Sequence, residues 1–297
     1  MAHYLIIGLG QIGQSVANQL AQQGQTVTGI SRSPKPDLRP TVTHIQADAR
    51  AITATDLGRD AATISHIAII VSPDASSEQG YHDSYFAISQ NVVKLHQVLP
   101  NLQRVVFISS TGVYGQNNGE FIDIATPVQL PTAKTAQILL ATEQLLQEHF
   151  GEQCTLIRPS GIYGHTRLRL LKMATQLAND NSDVAAPSNT WTNRIFDTDL
   201  VTVIANVLTE STPLPLYLAT DTAPVPLYDV LAYLAAQQGL TPHLPDRLAT
   251  GGKRIISNLP RHWLQYPNWQ TGYQAILSNA VNVANPSNSA NNLPIRR

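Results

Sequence analysis

The sequence predicts an α/β protein with a doubly wound parallel sheet in its first half and a smaller α/β unit behind it. Three observations carry that class. A strand from His3 to Ile7 runs straight into the glycine turn Gly8-Leu9-Gly10-Gln11-Ile12-Gly13. Short apolar strands then alternate with helical segments, as in parallel sheets covered on both faces. Beyond Pro159 the texture loosens into loops and polar stretches.

The glycine turn has the spacing and the context of a dinucleotide site. Gly8 permits the tight turn, Gly10 lets the backbone approach a pyrophosphate, and Gly13 brings the following helix close to the strand. Gln11 and Ile12 open that helix, whose unpaired N–H groups face the phosphates. Ile12, Val16 and Leu20 continue it at helical spacing, Gly24 stops it, and Thr26 to Ile30 form a second strand. Ser31-Arg32-Ser33 follows, where an NAD site usually carries an acidic residue for the ribose 2′-hydroxyl. A guanidinium with two hydroxyls suits a 2′-phosphate instead. The expected cofactor is NADP, with NAD as the alternative.

The next strands each end in polar residues. His44-Ile45-Gln46 leads to Asp48, and Ile67 to Val71 leads to Ser72-Pro73. A helix from about Tyr85 to Leu99 precedes Val105 to Ile108, which ends at Ser109-Ser110-Thr111. A helix from about Thr132 to His149 stops at Gly151, before a strand at Leu156-Ile157 that leads to Arg158. In such sheets ligands sit beyond the carboxyl ends of the strands, so Asp48, Ser72, Ser110 and Arg158 should share one rim with the glycine turn. After the loop Ser160 to His165 come a helical stretch with Leu168, Leu171 and Met173, and a polar segment from Asp180 to Thr192. Leu200, Val203, Ile204, Val207 and Leu208 make a clear helical stripe. A strand near Leu216 to Leu218 and a helix from about Leu227 to Gln238, closed by Gly239, complete the pattern. The expected units are a nucleotide-binding domain over 1–160, a second domain over 161–280 with elements exchanged back to the first, and a flexible Asn-rich tail over 281–297.

Composition narrows the function. The chain has 297 residues, 43% of them hydrophobic, enough for a large core. A net charge of −1 gives no footprint for nucleic acid or an anionic membrane. With no signal peptide and no apolar run long enough to span a bilayer, a cytoplasmic protein is expected. Cys154, the single cysteine, reads as a buried small hydrophobe. The nine histidines are scattered without metal-ligand spacing, so no metal is expected.

These residues together resemble the extended short-chain dehydrogenases/reductases, the NAD(P)-dependent nucleotide-sugar epimerase/dehydratase group with a Rossmann domain. The resemblance covers nearly the whole chain. It rests on the glycine turn, Asp48, Asn91, Ser109-Ser110-Thr111-Gly112-Val113-Tyr114-Gly115, Arg158 to Gly164, and Asn193 to Leu200. It implies that Asp48 contacts adenine and that Val71, Ser72, Pro73 and Ser109 line the cofactor. Ser110 falls on the catalytic serine or threonine, and Arg158 and Pro159 fall beside the nicotinamide. Thr111, Tyr114, Asn193 and Arg194 fall on the substrate side. The resemblance further implies a small sugar-like or nucleotide-linked substrate and a homodimer. The helix after Thr132 would present Ile138, Leu139, Leu145 and Leu146 for dimerisation, with some of these leucines covering the sheet instead.

One departure stands out. The family sets Y-x-x-x-K on that helix, so that the ammonium lowers the phenol pKa and binds the ribose, while the phenol exchanges a proton with substrate. Aligned on Glu143, the tyrosine position is Thr135 and the lysine position Leu139. Lys134 is one residue out of register, and Tyr163 or Tyr114 is the candidate replacement donor. Two functions follow: an oxidoreductase or epimerase with an altered proton relay through Ser110 and Tyr163 or solvent, or a non-catalytic NADP(H)-binding sensor.

Overall fold

The computed structural model describes residues 2–179 and 184–284. The chain begins with β1 (His3–Ile7), α1 (Gln11–Gln22), β2 (Thr26–Ser31), β3 (Val42–Gln46), α2 (Ala54–Leu57) and β4 (His66–Ile69). α3 (Glu78–Tyr81) and α4 (Ala87–Leu95) flank a π-helical turn at His82–Phe86. They lead to β5 (Arg104–Ile108), β6 (Asn118–Ile122), α5 (Lys134–Phe150) and β7 (Cys154–Pro159). Then come β8 (Gly161–Tyr163), α6 (Arg169–Leu177), β9 (Trp191–Thr192), β10 (Arg194–Phe196) and α7 (Asp197–Thr209). β11 (Leu216–Ala219), β12 (Val225–Pro226), α8 (Leu227–Ala236), β13 (Gly252–Ile255) and α9 (Trp269–Ala284) finish the chain.

The main sheet has the order β11-β7-β5-β4-β1-β2-β3, and every neighbouring pair is parallel. Side chains alternate across it. Leu5 and Ile7 face a core that includes Val92 of α4 and Leu139 and Leu146 of α5. Tyr4 and Ile6 face Val16 and Leu20 of α1 and the full apolar stripe of α7. Strand order reverses between β1 and β4, which opens a crevice at the carboxyl end of both. The doubly wound Rossmann class expected from the sequence is the fold observed.

Elements cross between the two halves in both directions. β11 returns to the main sheet beside β7. β6, which carries no strand signal in the sequence, leaves the first half to pair with β13 in a small sheet ordered β12-β9-β13-β6. Parallel β8 and β10 form a third sheet, and Tyr163, Phe196, Trp269 and Tyr273 share a separate core with α6 and α8.

Element boundaries shift for local reasons. The helix expected from Tyr85 starts at Glu78, because Ser77 Oγ accepts the Gly80 N–H at 3.1 Å and caps it. α5 starts at Lys134, not Thr132, after an extended Ala133. α9 runs four residues into the expected tail, to Ala284; the remainder, 285–297, lies outside the described residues, as does 180–183 of the polar segment. Among the described residues no helix is long and apolar enough to cross a membrane.

Candidate functional site

The glycine turn sits at the mouth of the crevice, and two of its glycines are fixed by packing. Gly8 has φ +96°, and a Cβ there would overlap the Ile70 carbonyl. A Cβ at Gly13 would overlap the Gly8 carbonyl oxygen, so α1 can lie against β1 only with glycine there. Gly10 is different: nothing lies within 4 Å of where its Cβ would stand. That space is bounded by the start of α1, whose first N–H groups have no helical acceptor. The Gln11 side chain bonds to Thr166 and Arg167 across the mouth, and Ile12 packs into the core beneath.

A pocket continues from Gly8 and Gly10 past Ser31, Arg32 and Ser33 to Asp48, Val71 and Ser72. The structure therefore brings most of the expected cofactor residues together on one rim. Their side chains are not equally available. Ser31 Oγ donates to the Ser33 carbonyl at 2.8 Å and pairs with His44 Nε2. Asp48 binds Arg50, and that hydrogen bond holds its carboxyl below the usual aspartate value. Arg32 lies across the pocket mouth with both terminal nitrogens on Asp74. Pro73 follows Ser72 on the same β4 loop.

At the other end of the rim, Ser110 Oγ accepts the Gly112 N–H at 3.0 Å, which leaves its own hydrogen to point elsewhere. Thr111 donates to the Pro159 carbonyl and ties the β5 and β7 loops together. Ser109 Oγ is buried with no partner. The remaining polar residues expected here are spent on the scaffold. Arg158 is buried and makes a bidentate pair with Glu143, at 3.0 and 2.6 Å, beneath the Tyr114 ring. Asn193 holds the Lys253 carbonyl and the Ile255 N–H, pinning β13. Arg194 is buried and donates to Thr192. The Tyr163 hydroxyl is enclosed against Gly272 of α9, without a partner, and burial drives its pKa far above the ordinary value. That enclosure argues against Tyr163 as the proton donor, because a donor must reach the proton's acceptor. Tyr114 is likewise buried, beside the Arg158 guanidinium. Thr135 is partly exposed, Leu139 is buried in the core, and Lys134 is exposed with Nζ 3.3 Å from Gln137.

The model of the NAD dependent epimerase/dehydratase family matches residues 4–212. The chain belongs to that family. Among solved structures, a candidate NAD-dependent epimerase/dehydratase from Methylobacillus flagellatus is 29% identical with a TM-score of 0.76, covering 94% of this chain and 99% of that one. A short-chain dehydrogenase/reductase superfamily protein from Agrobacterium tumefaciens, with bound NAD, is 18% identical with a TM-score of 0.70, covering 96% and 99%. The UDP-N-acetylglucosamine 4-epimerase from Bacillus cereus is 16% identical with a TM-score of 0.71, covering 93% and 98%. These last two show the shared fold. No curated protein matches the chain.

Family membership makes the residues that sequence reading missed more telling. Lys35, Arg50 and Asp74 line the pocket; Lys35 stands three residues past Arg32 and was within reach of a charge count, whereas Asp74 is brought to Arg32 only by sheet order. Lys253 is partly buried, its ammonium donates to the Tyr114 carbonyl, and burial pushes its pKa below the ordinary lysine value. No local pattern marks it, because β13 meets the Tyr114 loop only through its pairing with β6. Among the described residues there is no group of three or more His, Cys, Asp or Glu able to hold a metal.

Proposed function

We propose that this chain is an NADP(H)-binding oxidoreductase or epimerase acting on a sugar-like or nucleotide-linked small molecule through an altered proton relay. The observation that carries the reading is the convergence of the Gly10 opening, the α1 N-terminus and the Arg32 guanidinium on one pocket. These residues fit a dinucleotide. The α1 N–H groups and the open face of Gly10 suit a pyrophosphate, and Arg32 with Lys35 suits a 2′-phosphate. When bound, the nicotinamide supplies the hydride donor or acceptor.

The chain's own residues supply the rest. Ser110, with its oxygen held by the Gly112 N–H, aims its hydrogen at a substrate oxygen and polarises it. Proton exchange falls to solvent, since the phenol position aligns with Thr135 and the Tyr163 hydroxyl is enclosed against Gly272. The family's nucleotide-sugar neighbours, such as the one named UDP-N-acetylglucosamine 4-epimerase, support the substrate class.

A second reading is favoured by one observation: Leu139 is buried in the core, so the position aligned with the family's lysine carries no ammonium. On that reading the protein is a non-catalytic NADP(H) sensor. A screen of NADPH consumption over sugar nucleotides and small carbonyl compounds separates the two. Turnover with any of them supports the enzyme, and NADPH binding without turnover across the whole set supports the sensor.

A further inference from the structure

We propose that Asp74 tunes the dinucleotide preference of this site by competing with the 2′-phosphate of NADP(H) for the Arg32 guanidinium. The inference rests on the cofactor reading above and goes beyond it, because it assigns a role to a residue on the opposite wall of the pocket.

Arg32 follows β2 and Asp74 follows β4, so the pair bridges the two loops that flank the pocket. Arg32 Nη1 donates to Asp74 Oδ2 at 2.6 Å and Nη2 to Oδ1 at 2.5 Å. That is the bidentate fork which a guanidinium offers equally to a carboxylate or a phosphate. One terminal edge cannot serve both anions at once. The Arg32 backbone is held in place, since its carbonyl accepts Gln46 Nε2 at 3.1 Å, so an exchange of partners needs only the side chains to turn. Both side chains are well exposed, 59% for Arg32 and 57% for Asp74, and so free to do so.

The surrounding charges make Arg32 the point of control. Arg50 is already held by Asp48 at 2.5 Å, with Asp83 3.7 Å away. Lys35 lines the same pocket and, among the described residues, makes no ion pair. An incoming 2′-phosphate therefore meets one cation that is available and one that must first release a carboxylate. NAD(H), with a neutral 2′-hydroxyl, does not need that release. Asp74 thus costs NADP(H) affinity and leaves NAD(H) affinity alone, holding the cofactor preference below what Arg32 could give.

The test is the affinity of NADPH and NADH, by fluorescence titration, for the full chain and for Asp74→Asn, Arg32→Gln and the double variant. An exposed pair is worth at most about 1 kcal/mol, or about fivefold. Asp74→Asn should tighten NADPH about three- to fivefold, leave NADH within twofold, and bring little or no gain once Arg32 is glutamine. NADH binding doubles as the control for folding. An unchanged NADPH to NADH ratio in Asp74→Asn, in a protein whose wild type discriminates, would overturn the proposal. So would an equal gain for NADH, or a gain that survives Arg32→Gln, which would mean simple repulsion. Equal affinities in the wild type that stay equal in Asp74→Asn would instead overturn the cofactor reading, and the proposal with it.

Discussion

The two ends of the crevice rim use their polar residues in opposite ways. At the end proposed for the adenosine, Arg32, Ser33 and Ser72 are exposed, and the face of Gly10 is open. At the end proposed for the nicotinamide, Arg158, Arg194, Tyr163 and Tyr114 are 6%, 4%, 4% and 1% exposed, and their polar groups hold the scaffold or lie enclosed within it. Ser110 and Thr111 are partly exposed there. A family pattern can therefore persist for two reasons: some of its residues greet the ligand, and others build the walls that the ligand would meet.

The largest effects should come from the glycine turn, where the two reasons separate within six residues. Gly13→Val drives a side chain into the Gly8 carbonyl and should prevent stable folding, whereas the Cβ of Gly10→Val meets no protein atom within 4 Å. The Gly10 variant should keep its melting temperature and lose NADPH binding. Retained NADPH affinity in a folded Gly10→Val protein would remove the site from this turn. Next in size is the buried Arg158–Glu143 pair. Glu143→Ala leaves a buried guanidinium uncompensated and should cost about 3–5 kcal/mol in denaturant unfolding. NADPH affinity of the variant that remains folded should change little; a large loss would make Arg158 a ligand of the nucleotide and erase the contrast between the two ends.

The adenosine end was the more legible in the sequence because its demands are on the backbone. Only glycine satisfies the positive φ of Gly8 or the contact at Gly13, and so the residue type reveals the geometry. The parallel strands were equally legible, since burial on both faces leaves short apolar runs such as Ile67 to Val71. The nicotinamide end was not. Asn193 and Arg194 have the residue types of ligand contacts, and nothing local distinguishes a side chain that binds substrate from one that binds β13. β6 was invisible because Asn118-Gly119-Glu120-Phe121-Ile122 gains its strand character only from β13, far along the chain.

Chemistry should depend on the Ser110 hydroxyl, whose hydrogen is not spent on the scaffold. For any substrate turned over, Ser110→Ala should lower turnover by about 100-fold, the usual loss of one polarising donor. Thr135→Ala should leave it unchanged. A large loss from Thr135→Ala would mean that α5 still supplies the proton relay.

A further effect is one of pH, and it tests how closed the second half is. Burial raises the Asp221 carboxyl from 3.8 to about 7, against an opposing Ala223 N–H bond. The folded protein then holds this proton more tightly than the unfolded chain. The stability it contributes is complete below about pH 4 and is lost as pH rises to about 7, on the order of a few kcal/mol in all. Melting temperature should fall between pH 5 and pH 8, and Asp221→Asn should flatten that slope. An unaltered slope would mean that water reaches this interior.

A crystal structure of the NADPH complex tests the contrast most directly, through the side chains within hydrogen-bonding distance of the nicotinamide and its ribose. The pyrophosphate should lie over Gly10 and Ser110 at the nicotinamide, with Tyr163 still enclosed against Gly272 and Lys134 in solvent. A Lys134 ammonium on the ribose, or a Tyr163 hydroxyl turned out to the nicotinamide, would contradict this.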